Sequence, residues 1–192
     1  MQSRWLDRTL PYDGSQLRAH WILRETGLAG DAIVAFRGPC AVSDAEMADL
    51  EDLLSGPGIA GDDMLHFVVE LFDDGDLLRA IYLQRLFSAL ALDCLRARTN
   101  RPDDSIQLRR EGDDLFYGSG KLSISIATRS QVSTLIHFAV NVTNEGTPVA
   151  TASLQDLDID PTAFAESLMG GFLVECNSVI AARAKVRSKG EA

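Results

Sequence analysis

The chain has 192 residues, 46% hydrophobic and 24% charged, with a formal net charge of -10. That composition can bury a sizeable core and is not that of a disordered segment. So acidic a chain offers no basic stripe to nucleic acid or to an anionic membrane, and no docking face to an acidic carrier domain. Cys40, Cys94 and Cys176 are odd in number and lack metal spacing, as expected of reduced thiols in a cytoplasmic protein. The first residues place Arg4, Asp7 and Arg8 around Trp5, without the apolar core of a signal peptide. No apolar run approaches the ~18 residues of a membrane span. The expectation is one domain over residues 1–192, cytoplasmic and without a membrane partner.

In chain order, Leu17 to Glu25 alternates and then runs apolar, which predicts a strand. Gly27 to Gly30 turns the chain, and Asp31 to Phe36 reads as a buried partner strand. A break is expected at Arg37-Gly38-Pro39-Cys40, where glycine frees and proline fixes the backbone. Ser43 with Glu46 forms a capping-box pattern, predicting a short helix from Asp44 that stops at Gly56-Pro57-Gly58. Met64 to Phe72 is apolar apart from His66 and Glu70, as a central strand would be. Asp73 to Asp76 gives a turn and a helix cap, and Leu77 to about Arg98 repeats at helical spacing. Arg101 to Asp104 reads as a loop. Near the end, Asp160 before Pro161 caps a last helix. Gly170-Gly171 inside it either weakens the helix, permits close packing or marks a kink. Ser188 to Ala192 is expected to be a loose tail.

The stretch from Arg109 to Pro148 carries most of the functional signal. Leu115-Phe116-Tyr117 leads into a Gly118-Ser119-Gly120 turn. Lys121 to Thr128 then alternates serine and isoleucine with period 2, and Val132 to Val142 is rich in valine and threonine. Three strands joined by short turns are expected, with Lys121 just past a glycine turn. The whole pattern predicts an α+β fold, a mixed and mostly antiparallel sheet with helices packed on it.

Asp113-Asp114, Gly118-Ser119-Gly120-Lys121 and Phe138-Ala139-Val140-Asn141-Val142 resemble, in order and spacing, motifs of biotin and lipoate protein ligases. Those families carry an Asn-Asp pair, a Gly-x-Lys and a Gly-Ile-Asn-Val strand. Pro148 to Leu154 resembles their alanine-threonine-serine-leucine segment. A closer resemblance, over nearly the whole chain, is to the uncharacterised family DUF366. It rests on Phe36-Arg37-Gly38-Pro39-Cys40, Met64-Leu65-His66-Phe67, Gln84-Arg85-Leu86 and Ser133 to Phe138. The resemblance implies the class II synthetase-like fold of those ligases.

The resemblance further implies a small-molecule site with Lys121 and Asp114 as catalytic residues. Arg37, Gly38, His66, Asp113, Ser123 and Asn141 would bind substrate or cofactor, and no metal ligands are implied. Lys121 would lie against the phosphate and carbonyl of an acyl-adenylate, where a fixed ammonium stabilises developing negative charge. The ligand would be a carboxylic-acid-like small molecule, and the cofactor ATP with Mg²⁺. Arg37-Gly38 stands where the ligases have a phosphate loop with more glycine and arginine, so that motif is eroded. Asp113 replaces their asparagine and adds a negative charge. Two alternatives follow: a non-catalytic binder on the ligase scaffold, or an ATP-independent transferase using Cys40. The octanoyltransferases of the lipoyl pathway use a Cys with a Lys in that way, but their Cys follows the Asn-bearing strand. Residues 148–154 have none here.

For other residues the bland reading stands beside the functional one. His66 and His137 sit in apolar strands as hydrogen-bonded core histidines, unless both face one cavity with Glu70. Arg85 either binds a ligand carboxylate bidentately or faces solvent. Exposed sheet edges make a homodimer an expectation.

Overall fold

The computed structural model describes residues 1–72, 76–99 and 102–190. The predicted turn at Asp73 to Gly75, Arg101 of the predicted loop and the last two residues of the tail lie outside the described residues. The chain runs β1 (Gln2–Trp5), α1 (Trp21–Thr26), β2 (Ala32–Val42), α2 (Leu50–Ser55), β3 (Ile59–Leu71), α3 (Leu77–Arg98) and α4 (Pro102–Gln107). It continues through β4 (Leu108–Glu111), β5 (Asp114–Tyr117), β6 (Gly120–Lys121), β7 (Ser123–Arg129), β8 (Thr134–Asn141) and α5 (Pro161–Ala184).

The large sheet has the order β1-β2-β3-β8-β7. Only the β1–β2 pair is parallel; the other three pairs are antiparallel. β4, β5 and β6 form a small second sheet. The expected mixed, mostly antiparallel α+β architecture is what folds. β2 and β3 are buried on both faces, which is why they read as continuous apolar runs rather than as an alternation. On one face Ile33, Leu65, Phe67, Ile136 and Phe138 meet Phe87, Leu95, Phe164 and Phe172 of α3 and α5. On the other, Val34, Phe36, Met64, Val68 and Ala139 meet Leu6, Tyr12 and Ile22.

The caps at Asp76 and Asp160 form as expected: Asp76 Oδ1 accepts from Leu78 N at 2.9 Å and Asp160 Oδ1 from Ala163 N at 2.7 Å. Four expectations fail for identifiable reasons. Leu17 to Glu25 is no strand; its second half is the single-turn helix α1, closed by Gly27 in the left-handed region (φ 76°). A short apolar run carries too few residues for periodicity to tell helix from strand. Nor does the chain break at Arg37-Gly38-Pro39-Cys40, where β2 runs on to Val42 and absorbs Pro39 at a bulge between Gly38 and Cys40. The Ser43–Glu46 box makes only a turn, Glu46 N donating to Ser43 O at 3.0 Å. The helix starts later, at Leu50, because the Asp49 carboxylate accepts from Glu51 N at 2.8 Å. In the predicted 101–104 loop, the described part already begins α4.

The expected three-strand unit is divided between the two sheets, and the chain crosses from β6 to β7 at Leu122. Gly170 and Gly171 are exposed with open space where a Cβ would stand, so they serve no close packing.

Candidate small-molecule site

Lys121 is held by its backbone from three directions. Its N–H donates to Ala150 O at 3.2 Å, and its carbonyl accepts from Ala152 N at 3.0 Å and from Asn141 Nδ2 at 3.1 Å. Asn141 Nδ2 also donates to Ala152 O at 3.0 Å, so this amide staples β8, β6 and the 150–154 segment together. The glycine before the lysine is required by this crossing: a Cβ on Gly120 would lie 2.7 Å from the Thr151 carbonyl carbon. Buried Ser123 is a second staple, its Oγ accepting from Leu115 N at 2.9 Å.

The side chain of Lys121 places Nζ 2.8 Å from Asp114 Oδ2, with the two side chains 35% and 30% exposed. Burial raises the Asp114 carboxyl above the ordinary aspartate range, although the hydrogen bond and charge of Lys121 oppose the rise. Asp113 turns away to α3. Gln84 Nε2 donates to its Oδ2 at 2.7 Å and Arg85 Nη2 lies 3.2 Å from its Oδ1. The carboxylate that Arg85 engages is therefore the protein's own.

Lys121 stands where two cavities meet. The larger, of about 340 Å³, is lined by Tyr12, Ile124, Ile126 and His137, and by the segment from Glu46 to Asp52. The smaller, of about 200 Å³, is more apolar and includes Ile59, Met64, Ser123, Asn141, Pro148 and Val149. Asp52, Ile59, Lys121 and Ile124 line both. Among the described residues the larger cavity is lined by six acidic residues, Glu46, Asp49, Glu51, Asp52, Asp113 and Asp114, and one basic residue, Lys121. Asp49 caps α2, Glu46 Oε1 lies 3.8 Å from Arg18 Nη2, and Asp113 is held by Gln84 and Arg85.

Arg37, Gly38 and His66 do not join this wall. Arg37 lies on the helix-covered side, its Nε donating to Asp63 Oδ1 at 2.7 Å, beside a separate cavity with Val142, Gln155 and Pro161. Gly38 is a strand residue against Leu10, whose carbonyl a Cβ would strike. Its own carbonyl sits 3.2 Å from His66 Nε2. His66 is fully buried behind His137, with His66 Nδ1 and His137 Nε2 3.1 Å apart. Burial lowers the imidazole of His66 to about 4 and holds that of His137 well below the ordinary range. Glu70 is not part of the pair; its Oε1 accepts from His20 N at 2.7 Å and Ser133 Oγ at 2.9 Å. Cys40 is buried in the core of that face, its thiol pushed up to about 12 by desolvation.

Sequence reasoning missed Tyr12 and the acidic segment Glu46–Asp52 as walls of the site. Tyr12 gave no signal, because Pro11-Tyr12 belongs to no periodic run. The acidic segment was legible only as a helix start.

A family model described as "Domain of unknown function (DUF366)" matches residues 1–187. The chain belongs to this family. An uncharacterised protein of Methanocaldococcus jannaschii is 36% identical over 157 residues, 78% of this chain and 67% of that one. A solved protein of unknown function from Pyrococcus horikoshi superposes with a TM-score of 0.89 at 40% identity, covering 97% and 98% of the two chains. The biotin protein ligase of Aquifex aeolicus in complex with biotin and ATP gives a TM-score of 0.58 at 12% identity, covering 89% of this chain and 68% of that one. A T. acidophilum protein with bound lipoic acid gives 0.56 at 18% identity, covering 90% and 85%. At these identities the likeness is one of fold, the biotin/lipoate-ligase-like fold that the motifs imply. No described helix is long and apolar enough to cross a membrane.

Proposed function

We propose that this protein binds a small acid-bearing molecule at Lys121, on a ligase-like scaffold and without ATP. The observation that carries the reading is the position of Lys121, pinned through its backbone at the junction of two cavities with its ammonium on Asp114. An incoming carboxylate competes with Asp114 for that ammonium. Burial raises the Asp114 carboxyl, so Asp114 holds its charge less firmly than an exposed aspartate would. The apolar second cavity then suits the hydrocarbon part of the ligand.

The ligase fold implies ATP with Mg²⁺, and the residues present do not fit them. A phosphate cradle needs converging backbone N–H groups and cations. Here Arg37-Gly38 is part of a paired strand, Arg37 is committed to Asp63 on the other side, and six carboxylates line the cavity. The Cys40 route fares no better, since a buried thiol with a raised pKa is neither accessible nor ionised. Asn141 and Ser123 are positioning residues in this reading, while Lys121 and Asp114 meet the ligand.

Thermal-shift titration tests it with biotin, lipoate, octanoate, ATP with and without Mg²⁺, and AMP. A ligand at about 100 times its Kd adds roughly 2.7 kcal/mol, a rise of roughly 5–10 °C at this size. An acid should shift the wild type and not Lys121→Ala. The free variant should melt within about 1–3 °C of the wild type, because a part-exposed ion pair contributes roughly 0–1 kcal/mol. A shift with ATP that vanishes in Lys121→Ala would overturn the reading in favour of an adenylating ligase.

A further inference from the structure

The wall of the larger cavity ends in a hydrogen-bond chain whose direction is set from its far end. The Gly38 carbonyl can only accept, so His66 Nε2, 3.2 Å away, carries the proton. His66 is neutral in its buried position, which leaves its Nδ1 a bare acceptor. His137 Nε2, 3.1 Å away, therefore donates to it. His137 is neutral as well, so its own Nδ1 holds a lone pair and no hydrogen. No hydrogen bond reaches that atom among the described residues, although His137 lines the cavity and is only 3% exposed.

Tyr12 fixes the arrangement. Its ring stacks on His137 with centroids 3.6 Å apart and planes 6° apart, which holds the plane of the imidazole, and the contact of Nε2 with His66 sets which edge faces the pair. Tyr12 also lines the cavity and is itself buried. An acceptor on a cavity wall that no protein donor serves is open to a donor from a ligand. The acidic residues Glu46 and Asp52 line the same cavity, Glu46 with Arg18 3.8 Å from its carboxylate, while the Asp49 carboxylate caps α2. A cavity lined by one sign of charge concentrates the opposite sign.

We propose that the larger cavity takes a protonated amine at its His137 end, one N–H going to His137 Nδ1 and the others to the carboxylate wall. Joined to the Lys121 anchor, this makes the ligand an amino-substituted acid; that acid half rests on the function proposed above, and the amine half does not. The forced acceptor excludes a second acceptor, such as a carboxylate or a phosphate oxygen, from the His137 position. The acidic wall favours the charged amine over a neutral hydroxyl. No bond is made or broken in this step.

The test is calorimetric titration of the full chain at low salt. The probes are straight-chain ω-amino acids from glycine to aminohexanoate, the matching acids without the amine, the matching alkylamines, and zinc and magnesium ions alone. The best amino acid should bind at least about tenfold more tightly than its plain acid, the scale of one charge-assisted hydrogen bond. Glu46→Gln with Asp52→Asn should remove that preference and leave the plain acid's affinity unchanged. His137→Phe should do the same. Because it also strips His66 of its donor and can cost the fold, the double carboxylate variant keeps the test decisive.

Plain acids binding as tightly as amino acids would overturn the amine site while leaving the Lys121 reading intact. Alkylamines binding alone, indifferently to Lys121→Ala, would support the amine site and sink the acid anchor. Binding of neither class, or of a metal ion only, would overturn the amine proposal.

Discussion

The two faces of the large sheet are buried by different means. On the helix side five phenylalanines interlock, with Phe87 meeting Phe67, Phe138 and Phe172 edge-on at centroid distances of 5.4, 5.2 and 5.0 Å. On the other side the sheet buries His66 and His137 under Tyr12 and leaves a cavity beside them. Both faces exclude water, but one satisfies only packing while the other must also satisfy hydrogen bonds. The first can tolerate any well-fitting apolar set; the second needs particular donors and acceptors in a particular order. The proposed ligand site lies on the second face, where a polar chain ends at a cavity.

The sharpest way to break this contrast is Phe87→Ala. It should cost about 3–5 kcal/mol through the cavity it opens, read as a lower denaturant midpoint at unchanged m. A loss under about 1 kcal/mol would mean the helix face is not the stabilising one. The histidine face should show itself through pH instead. Because folding holds His66 at about 4 against 6.5 unfolded, the unfolded chain binds the proton first. Stability is then full above pH 6.5 and falls as pH drops toward about 4, by about 1.4 kcal/mol per pH unit for each such group. The slope attributable to the pair should vanish in the double variant His66→Gln, His137→Gln; an unchanged slope would show that other groups carry it.

Asn141→Ala probes the link between the two sheets. Removing an amide that serves two carbonyls should cost about 1–3 kcal/mol and loosen ligand binding at Lys121. Stability lost without any change in affinity would separate the staple from the site. The smallest effect is on the exposed side of α5, away from both faces. Gly170→Ala and Gly171→Ala should each stabilise by roughly 1 kcal/mol, since nothing stands where the new Cβ goes. Destabilisation there would reveal a partner on that surface.

What could be read from sequence alone follows the range of the forces involved. The Asp160-Pro161 helix start, the Gly27 turn and the Gly120-Lys121 step are set by residues a few positions apart. They stand where the sequence puts them. The apolar runs of β2 and β3 announced two-sided burial, and the ligase-like motifs announced the fold. Local rules failed at residues 37–49, where the sheet overrode them. Pairing with β3 and Leu10 to Tyr12 carries β2 past Gly38 and Pro39, and the Asp49 cap takes the helix start from Ser43. Of the residues assigned to one site, Lys121 and Asp114 are close in sequence and form an ion pair, whereas Arg37 lies on the other side because strand alternation decides its face.

The sequence by itself determined the long helices, the central strands, the family and the lysine at the end of a glycine turn, since their signals are carried by neighbouring residues. Only the tertiary structure decided that Tyr12, His137 and the acidic segment share one wall, with His66 buried behind His137. They come from four separate stretches, and no periodicity connects residues whose meeting is settled by how β3 and β8 pair and by what covers them. The hydrogen-bond direction of the histidine pair is likewise a property of the fold, since it begins at a carbonyl on a third strand, β2.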